Sequence, residues 1–166
     1  MGSTPTKAAE NIYCKCRLEA AKYNERLKSR EGAAELLGLS LPSLSNYELG
    51  LTKVVPVDKV ALMADLYNAP ELRNYYCREC CPLGIDTPKV DLEGLDRISI
   101  RTFSASEQIN QVKTTLLKIV SDGVITDDEI PDLQMIYENL SEFDSTIQSF
   151  KLFIEKNYKE VIDATN

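Results

Sequence analysis

Residues 29–50 read SREGAAELLGLSLPSLSNYELG, and this stretch decides the fold of the first half of the chain. Its first part carries apolar residues at the spacing of one helix face: Ala33, Ala34, Leu36 and Leu37. Gly38 is typical of a helix end, because glycine adopts the left-handed conformation without strain. Ser40 can cap a second helix, and Pro42 suits its first turn, where no backbone N–H needs an internal partner. The stretch therefore predicts two short helices joined by a tight turn.

Two helices joined in this way form a helix-turn-helix, whose second helix enters the major groove of DNA. We place the first helix at about residues 30–37 and the second, the recognition helix, at about residues 41–49. Leu44 and either Tyr47 or Glu48 lie three and four residues apart and are expected to face the first helix. The polar residues between them are expected to face outward, toward whatever is bound.

Helical patterns flank this pair on both sides. Residues 8–28 predict a helix with four inward-facing positions: Ile12, Leu18, Ala21 and Leu27. After the pair, residues 57–67 and 70–80 predict two more helices. Residues 8–84 are therefore expected to form one five-helix domain.

A second helical region follows a predicted linker at residues 82–88, which are rich in turn formers. A helical pattern covers about residues 92–121, although its Ser- and Thr-rich part, residues 99–106, is a candidate interruption. Thr126 and Glu129 match a capping box, which begins a last helix. Apolar residues keep three- and four-residue spacing along that helix: Ile130, Leu133, Tyr137, Leu140, Ile147, Phe150 and Ile154.

The two halves differ in charge. Residues 1–84 hold 11 Lys and Arg against 10 Asp and Glu, whereas residues 85–166 hold 8 against 16. The fold class predicted is thus all-α, with an acidic helical hairpin at residues 85–160. Two helices alone bury little apolar surface, and the apolar residues of the last helix exceed what one facing helix can cover. We therefore expect a homodimer, or binding of another partner, through these C-terminal helices.

Positive charge is concentrated beside the helix-turn-helix, where phosphate contacts are needed. Residues 15–30 contain only two acidic residues but six basic ones: Lys15, Arg17, Lys22, Arg26, Lys28 and Arg30. A solvated helix face is the plainer interpretation of such a run, but its position favours contact with double-stranded DNA.

Residues 29–50 also resemble the lambda-repressor-like regulators, often called the XRE family. The resemblance lies in the order polar–polar–x–x–Ala–x–x–Leu–Gly–hydrophobic–Ser at residues 30–40 and Leu–Ser–x–x–Glu–x–Gly at residues 44–50. It extends over about residues 8–80. Residues 68–84 resemble a subgroup of such regulators from Gram-positive bacteria or their mobile elements.

The resemblance implies a sequence-specific DNA-binding transcriptional regulator with named contacts. Ser40, Ser43 and Asn46 stand at the groove-facing positions, and an Asn there can read an adenine edge through two hydrogen bonds. Arg30 stands where the family holds a residue that grips phosphate, and Lys53 lies in the following loop, within reach of the DNA backbone.

Leu41 and Pro42 depart from the family, because many members have polar base readers at these positions. This leaves few direct base contacts, so high specificity would need DNA shape or a dimer.

Five cysteines form two groups, Cys14 with Cys16, and Cys77 with Cys80 and Cys81. Cys14, Cys77, Cys80 and Cys81 could form a ligand set for zinc or an iron–sulfur cluster if the first and fifth helices meet. Two alternatives remain open, namely small buried apolar groups and a redox-sensing pair. We expect no resident cofactor, with such a metal centre as the alternative.

Enzyme classes find no support, because the chain has no His, no Gly-rich phosphate loop and no nucleophile elbow. There is no run of about 20 apolar residues to span a membrane, and no signal-peptide pattern, so we expect a cytoplasmic protein. The rival to a DNA-binding regulator is a helical protein-interaction adaptor that does not bind DNA. A cysteine-based metal or redox sensor using the same first domain is a third interpretation.

Overall fold

The computed structural model describes residues 10–90, 92–121 and 123–163. Every regular element in these residues is helical and none is a β-strand, so the predicted all-α class is confirmed. The chain divides into two compact units, Met1–Thr87 and Pro88–Asn166. Within the described residues, no helix combines the length and the apolar character that crossing a membrane requires.

The described residues of the first unit contain five short α-helices. They are α1 (Ile12–Ala20), α2 (Arg30–Leu37), α3 (Leu41–Glu48), α4 (Val57–Leu66) and α5 (Glu71–Tyr75). A 3-10 turn, Glu25–Lys28, precedes α2, and a π-helical turn, Tyr76–Cys80, continues α5. The ends of α2, α3 and α4 fall within one residue of those predicted, because local signals mark them.

The first helix is shorter than the sequence predicts. The expected helix covers residues 8–28, of which residues 8 and 9 lie outside the described residues, but α1 ends at Ala20. The side chain of Asn24 accepts a hydrogen bond from the N–H of Arg26 at 3.1 Å and caps the 3-10 turn. This bend returns Leu27 to the core, whereas Leu18, which was expected to face inward, is exposed.

Apolar side chains from all five of these helices meet in one core. Its largest fully buried members are Leu27, Leu44, Val60, Met63 and Leu72. Burial of such a side chain contributes about 1.5–3 kcal/mol. Ala33 and Ala34 of α2 are also buried, and their small size allows neighbouring helices to approach closely. This core fixes the positions of α2 and α3.

The first unit closes with a turn that only glycine fits. The N–H of Cys81 bonds to the carbonyl of Tyr76, and the N–H of Gly84 bonds to the carbonyl of Cys81, both at 3.0 Å. A Cβ on Gly84 would overlap the carbonyl oxygen of Cys77. Any larger residue at position 84 therefore has to move the chain away from the π-helical turn.

The second unit is built from α6 (Leu95–Ile119), α7 (Ile130–Asn157) and the short α8 (Lys159–Asp163). The capping box that the sequence predicts is present, since a Glu129 Oε2 accepts a hydrogen bond from the N–H of Thr126 at 2.9 Å. Residues 99–106 do not interrupt α6. The hydroxyl of Thr102 donates to the carbonyl of Ile98 at 2.8 Å, so this polar stretch is satisfied within its own helix.

The packing of α7 leaves part of its apolar surface uncovered. Four of its residues are buried: Ile136, Thr146, Ser149 and Leu152. Tyr137, Leu140 and Phe150, which belong to the apolar set expected to exceed what one facing helix can cover, are exposed. Small side chains at the centre, Thr146 and Ser149, let α6 and α7 approach closely. The apolar residues of α7 occupy two neighbouring faces, and α6 covers only one of them.

Candidate nucleic-acid interface

The connection between α2 and α3 has the geometry that its sequence predicts. Gly38 has φ of 62° and ends α2, and the N–H of Leu39 bonds back to the carbonyl of Ala34 at 2.9 Å. Ser40 caps α3, because its Oγ accepts the N–H of Ser43 at 3.2 Å. The two helices are therefore held by backbone hydrogen bonds at a three-residue turn, and α3 begins at a fixed point.

The three predicted groove-facing residues lie on the outer side of α3. Ser40 and Asn46 are exposed and Ser43 is half-buried. The Oγ atoms of Ser40 and Ser43 are 2.8 Å apart and hydrogen-bond to each other. Among the hydrogen bonds that the described residues form, none uses the side chain of Asn46, so its amide is open to an external partner.

The inner side of α3 carries a fully buried carboxylate, Glu48. Its Oε1 accepts from Nε of Arg17 at 2.5 Å, and its Oε2 accepts from Nη2 of Arg17 at 3.0 Å. The Nε of Arg30 donates to Oε2 at 2.7 Å. The sequence left Tyr47 and Glu48 as alternatives for this inward position, and the structure places Glu48 there, with Tyr47 half-buried.

Arg17 connects three separate segments of the first unit. Besides its two bonds to Glu48, its Nη1 donates to the carbonyls of Leu27 at 2.7 Å and Lys28 at 3.1 Å. A buried arginine is stable only when its donors are paired in this way. The contact fixes α1, the 3-10 turn and α3 against one another.

The two arginines determine the ionisation of Glu48. Burial alone raises the pKa of a carboxyl group, but the hydrogen bonds and charges of Arg17 and Arg30 outweigh it and hold the pKa of Glu48 below its usual value. Burial lowers the pKa of Arg17, and its hydrogen bonds to Glu48 reverse that effect and raise the pKa overall. The network is therefore fully charged near neutral pH.

Arg30, the predicted phosphate contact, is partly committed inside the protein. It opens α2, and its side chain is 32% exposed. The hydrogen bonds among the described residues use only its Nε, which is bonded to Glu48. Its two Nη groups supply four further N–H donors. Glu48 thus orients the Arg30 side chain beside α3 while leaving donors for another acceptor.

A second contact on α3, through Asn11, was missed by the sequence analysis. The Nδ2 of Asn11 donates to the carbonyl of Tyr47 at 3.0 Å, while its Oδ1 caps α1 by accepting from the N–H of Tyr13 at 2.9 Å. An Asn before a helical pattern signals a cap, but its second contact lies 36 residues away.

Most of the positive charge at residues 15–30 is paired within the chain. Lys22 pairs with Glu19, Lys28 with Glu25 and Arg26 with Glu35, in addition to the two arginines on Glu48. Within the described residues, only Lys15 of the six basic residues forms no ion pair. The surplus seen in the sequence is therefore mostly neutralised locally, although exposed pairs of this kind are weak and can exchange partners.

Lys53 lies in the loop between α3 and α4, and its side chain is exposed. Gly50, with φ of 68°, turns the chain after α3, and Val55 anchors the far side of the loop in the core. No ion pair within the described residues involves Lys53. It is thus the clearest free cation near the end of α3.

The cysteines are not brought together as the predicted set of Cys14, Cys77, Cys80 and Cys81. In the described part of the chain, no three Cys, His, Asp or Glu residues form a group that could hold a metal. Tyr13 and Cys16 of α1 both contact α5, and the ring centroid of Tyr13 lies 6.1 Å from that of Tyr75. Because consecutive helical residues point about 100° apart, Cys14 faces another way.

The environments of the individual cysteines also differ. Cys14 is buried and its Sγ accepts a hydrogen bond from Nη2 of Arg17 at 3.8 Å, whereas the Sγ of Cys16 donates to Oε1 of Glu71 at 3.8 Å. Burial raises the pKa of the thiols of Cys14 and Cys80, which disfavours the reactive thiolate form. Cys77 is exposed.

Comparison of the chain with protein-family models, with curated proteins and with solved structures gave no match in any of the three. The resemblance to the lambda-repressor-like regulators therefore rests on the residues quoted above.

Proposed function

We propose that this protein is a sequence-specific DNA-binding regulator of transcription with a lambda-repressor-like first unit. In this proposal α3 is the recognition helix, and Ser40, Ser43 and Asn46 face the groove. The protein is cytoplasmic, carries no resident cofactor, and acts as a homodimer through its C-terminal helices, because one small domain offers few base contacts.

The observation that carries this proposal is the way α3 is held. Eight residues are too few for a stable isolated helix. Here Leu44 and Glu48 are fully buried on the inner side, and Asn46 is exposed on the outer side. A helix fixed so firmly with one polar face outward suits a role in which side chains must meet base edges at set positions.

Phosphate contacts fit the same surface. The Nη groups of Arg30 lie at the start of α2, and Lys53 lies just after α3. Each phosphate contact adds affinity without sequence preference and makes binding salt-dependent.

The second candidate is a helical adaptor that binds a protein instead of DNA. The pairing of five of the six basic residues at 15–30 favours it, as does the exposure of Leu41 and Pro42 at the start of α3. An apolar, electrically neutral face is more typical of a protein contact than of a DNA contact.

Selection from a pool of random DNA duplexes with the full chain separates the two candidates. We expect one sequence to be enriched. Asn46→Ala should weaken binding to that sequence by about 1–3 kcal/mol, with little effect on random DNA. Lys53→Ala should weaken binding to both DNAs alike and reduce the salt dependence by about one phosphate contact.

Matched controls are available in the second unit. Asn110→Ala and Lys113→Ala make the same chemical changes on exposed positions of α6, and neither should alter sequence preference. If no sequence is enriched, and Lys53→Ala shows the same salt dependence as the unmodified chain, then the DNA-binding proposal is wrong and the adaptor becomes the leading candidate.

A further inference from the structure

One face of α7 repeats at the spacing of a two-helix interface and contains none of the residues that α7 buries. Six positions define this face, which we call the α7 seam: Tyr137, Leu140, Asp144, Ile147, Lys151 and Ile154. They alternate in steps of three and four, which is the a and d pattern of a coiled coil. Tyr137 is 69% exposed and Leu140 is 46% exposed, while Ile147 and Ile154 are half-buried.

None of the seam residues is fully buried within the hairpin. The residues of α7 that are buried against α6 are a different set: Ile136, Thr146, Ser149 and Leu152. The hydroxyls of Thr146 and Ser149 return to the carbonyls of Glu142 and Ser145, each at 2.9 Å, so this polar interior needs no outside partner. The seam is thus a second, separate apolar face.

The seam holds two opposite charges, Asp144 and Lys151. Both are exposed, and neither joins an ion pair within the described residues. They lie seven residues apart, two helical turns, which is too far for them to pair with each other. The point midway between them falls beside Ile147.

We infer that the α7 seam is an interface between two copies of this chain, in which the two α7 helices run antiparallel about a two-fold axis beside Ile147. This arrangement places Asp144 of each copy next to Lys151 of the other, which gives two ion pairs across the interface. A parallel pairing would place Asp144 against Asp144 and Lys151 against Lys151. Charge complementarity about Ile147 therefore favours a second copy in the antiparallel direction as the occupant of the seam.

The apolar residues fit the same axis. Leu140 and Ile154 lie seven residues before and after Ile147, so each meets the other across the pair. Large apolar residues then fill the seam on both sides of the two ion pairs. The inference rests on the homodimer of the proposed function and specifies its interface. It does not depend on whether the protein binds DNA.

Charge reversal tests the direction of the pairing in the full chain, by sedimentation equilibrium in low salt. Asp144→Lys and Lys151→Asp each turn two attractive pairs into two repulsive ones, so each should raise the dimer dissociation constant by on the order of tenfold. The double variant Asp144→Lys/Lys151→Asp restores both pairs and should return to the affinity of the unmodified chain. Far-UV circular dichroism verifies that each variant keeps its helices.

The control changes the same charges on α6, as Glu107→Lys and Lys113→Asp, and should leave the dissociation constant unchanged. Parallel pairing predicts that neither single variant differs from the unmodified chain, since like charges replace like charges. That result, or failure of the double variant to recover, overturns the inference. So does an unmodified chain that stays monomeric, in which case the seam serves a different partner.

A distance measurement gives an independent answer. A spin label carried by an unnatural amino acid at Gln134 lies 13 residues from Ile147. Two such labels should be about 40 Å apart in the antiparallel pair, from the helical rise of about 1.5 Å per residue, and much closer in a parallel pair. Neither measurement includes DNA. The dimer inference can therefore fail while the DNA-binding proposal succeeds, and the DNA-binding proposal can fail while the dimer inference succeeds.

Discussion

Glu48 and Arg17 carry full charges in the interior of the first unit, and their geometry explains why they are tolerated. Both oxygens of the carboxylate are used, and the remaining Arg17 donors reach two backbone carbonyls. Paired in this way, a buried ion pair adds little net stability compared with apolar residues, but removing one partner alone is strongly destabilising. The pair therefore acts mainly to fix the orientation of α3.

The charge of Glu48 should make the first unit sensitive to acid. The pKa of Glu48 is lowered in the folded protein, so between that pKa and the value of about 4.3 in the unfolded chain, the unfolded state binds more protons. The stabilising contribution is thus complete above about pH 4.3 and is lost as the pH falls through the folded pKa. Urea unfolding of the full chain at pH 7, 5, 4 and 3 measures this loss.

The matched variant is Glu48→Gln, which cannot titrate. It should be less stable than the unmodified chain at pH 7 by about 3–5 kcal/mol, because it leaves Arg17 without its counter-charge. The difference between the two proteins should shrink as the pH falls from 5 to 3. A difference that stays constant over this range would mean that Glu48 does not contribute through its charge.

Several helices begin and end at residues whose local chemistry favours a helix terminus. Gly38, Ser40 and Pro42 act within one turn, and these residues allowed both ends of the α2–α3 connection to be predicted. The end of α1 at Ala20 could not be predicted in this way. Asn24 caps the following 3-10 turn, but Arg17 also holds the carbonyls of Leu27 and Lys28, and this contact is made only once the chain has folded.

Contacts between distant segments also decide two features that local signals could not predict, namely the face of α7 that packs on α6 and the partner of Glu48 on α3. Apolar residues cover two faces of α7, and periodicity cannot say which face α6 will take. Small residues at Thr146 and Ser149 decide it, because they allow the closest approach. The role of Glu48 requires Arg17, 31 residues away, and no spacing rule within one helix reveals such a pair.

Gly38 gives a prediction for the connection between α2 and α3. Its φ of 62° is in the left-handed region, and a Cβ there would meet no other atom within 4 Å. Substitution should therefore cost only backbone strain. We expect Gly38→Ala to lower the free energy of unfolding by about 1 kcal/mol, and Gly38→Asn by less, because Asn tolerates this conformation. Equal losses in urea unfolding would contradict this explanation.

The molecule as a whole combines two units of different character. The first has a core of large apolar side chains and nearly balanced charge. The second has small polar residues in its interior, a large excess of acid and many large apolar residues on its surface. In the proposed regulator this acidic charge would disfavour contact with DNA, and the second unit would serve assembly.

This division leads to a prediction for separated units. A fragment of residues 1–87 contains the whole first core and should unfold cooperatively in urea. It should sediment as a monomer and bind the selected DNA at least 100-fold more weakly than the full chain, because it lacks the second copy that multiplies its contacts. A fragment that dimerises by itself would place the interface in the first unit.

The exposed seam affects how quickly the unpaired protein would be degraded in a cell. A chain without a partner shows Tyr137 and Leu140 to solvent, and exposed apolar helices are the features that chaperones and proteases select. Association protects the folded form by mass action. For a homodimer the unpaired fraction is largest when the protein is scarce, so the lifetime of the chain would rise with its own concentration.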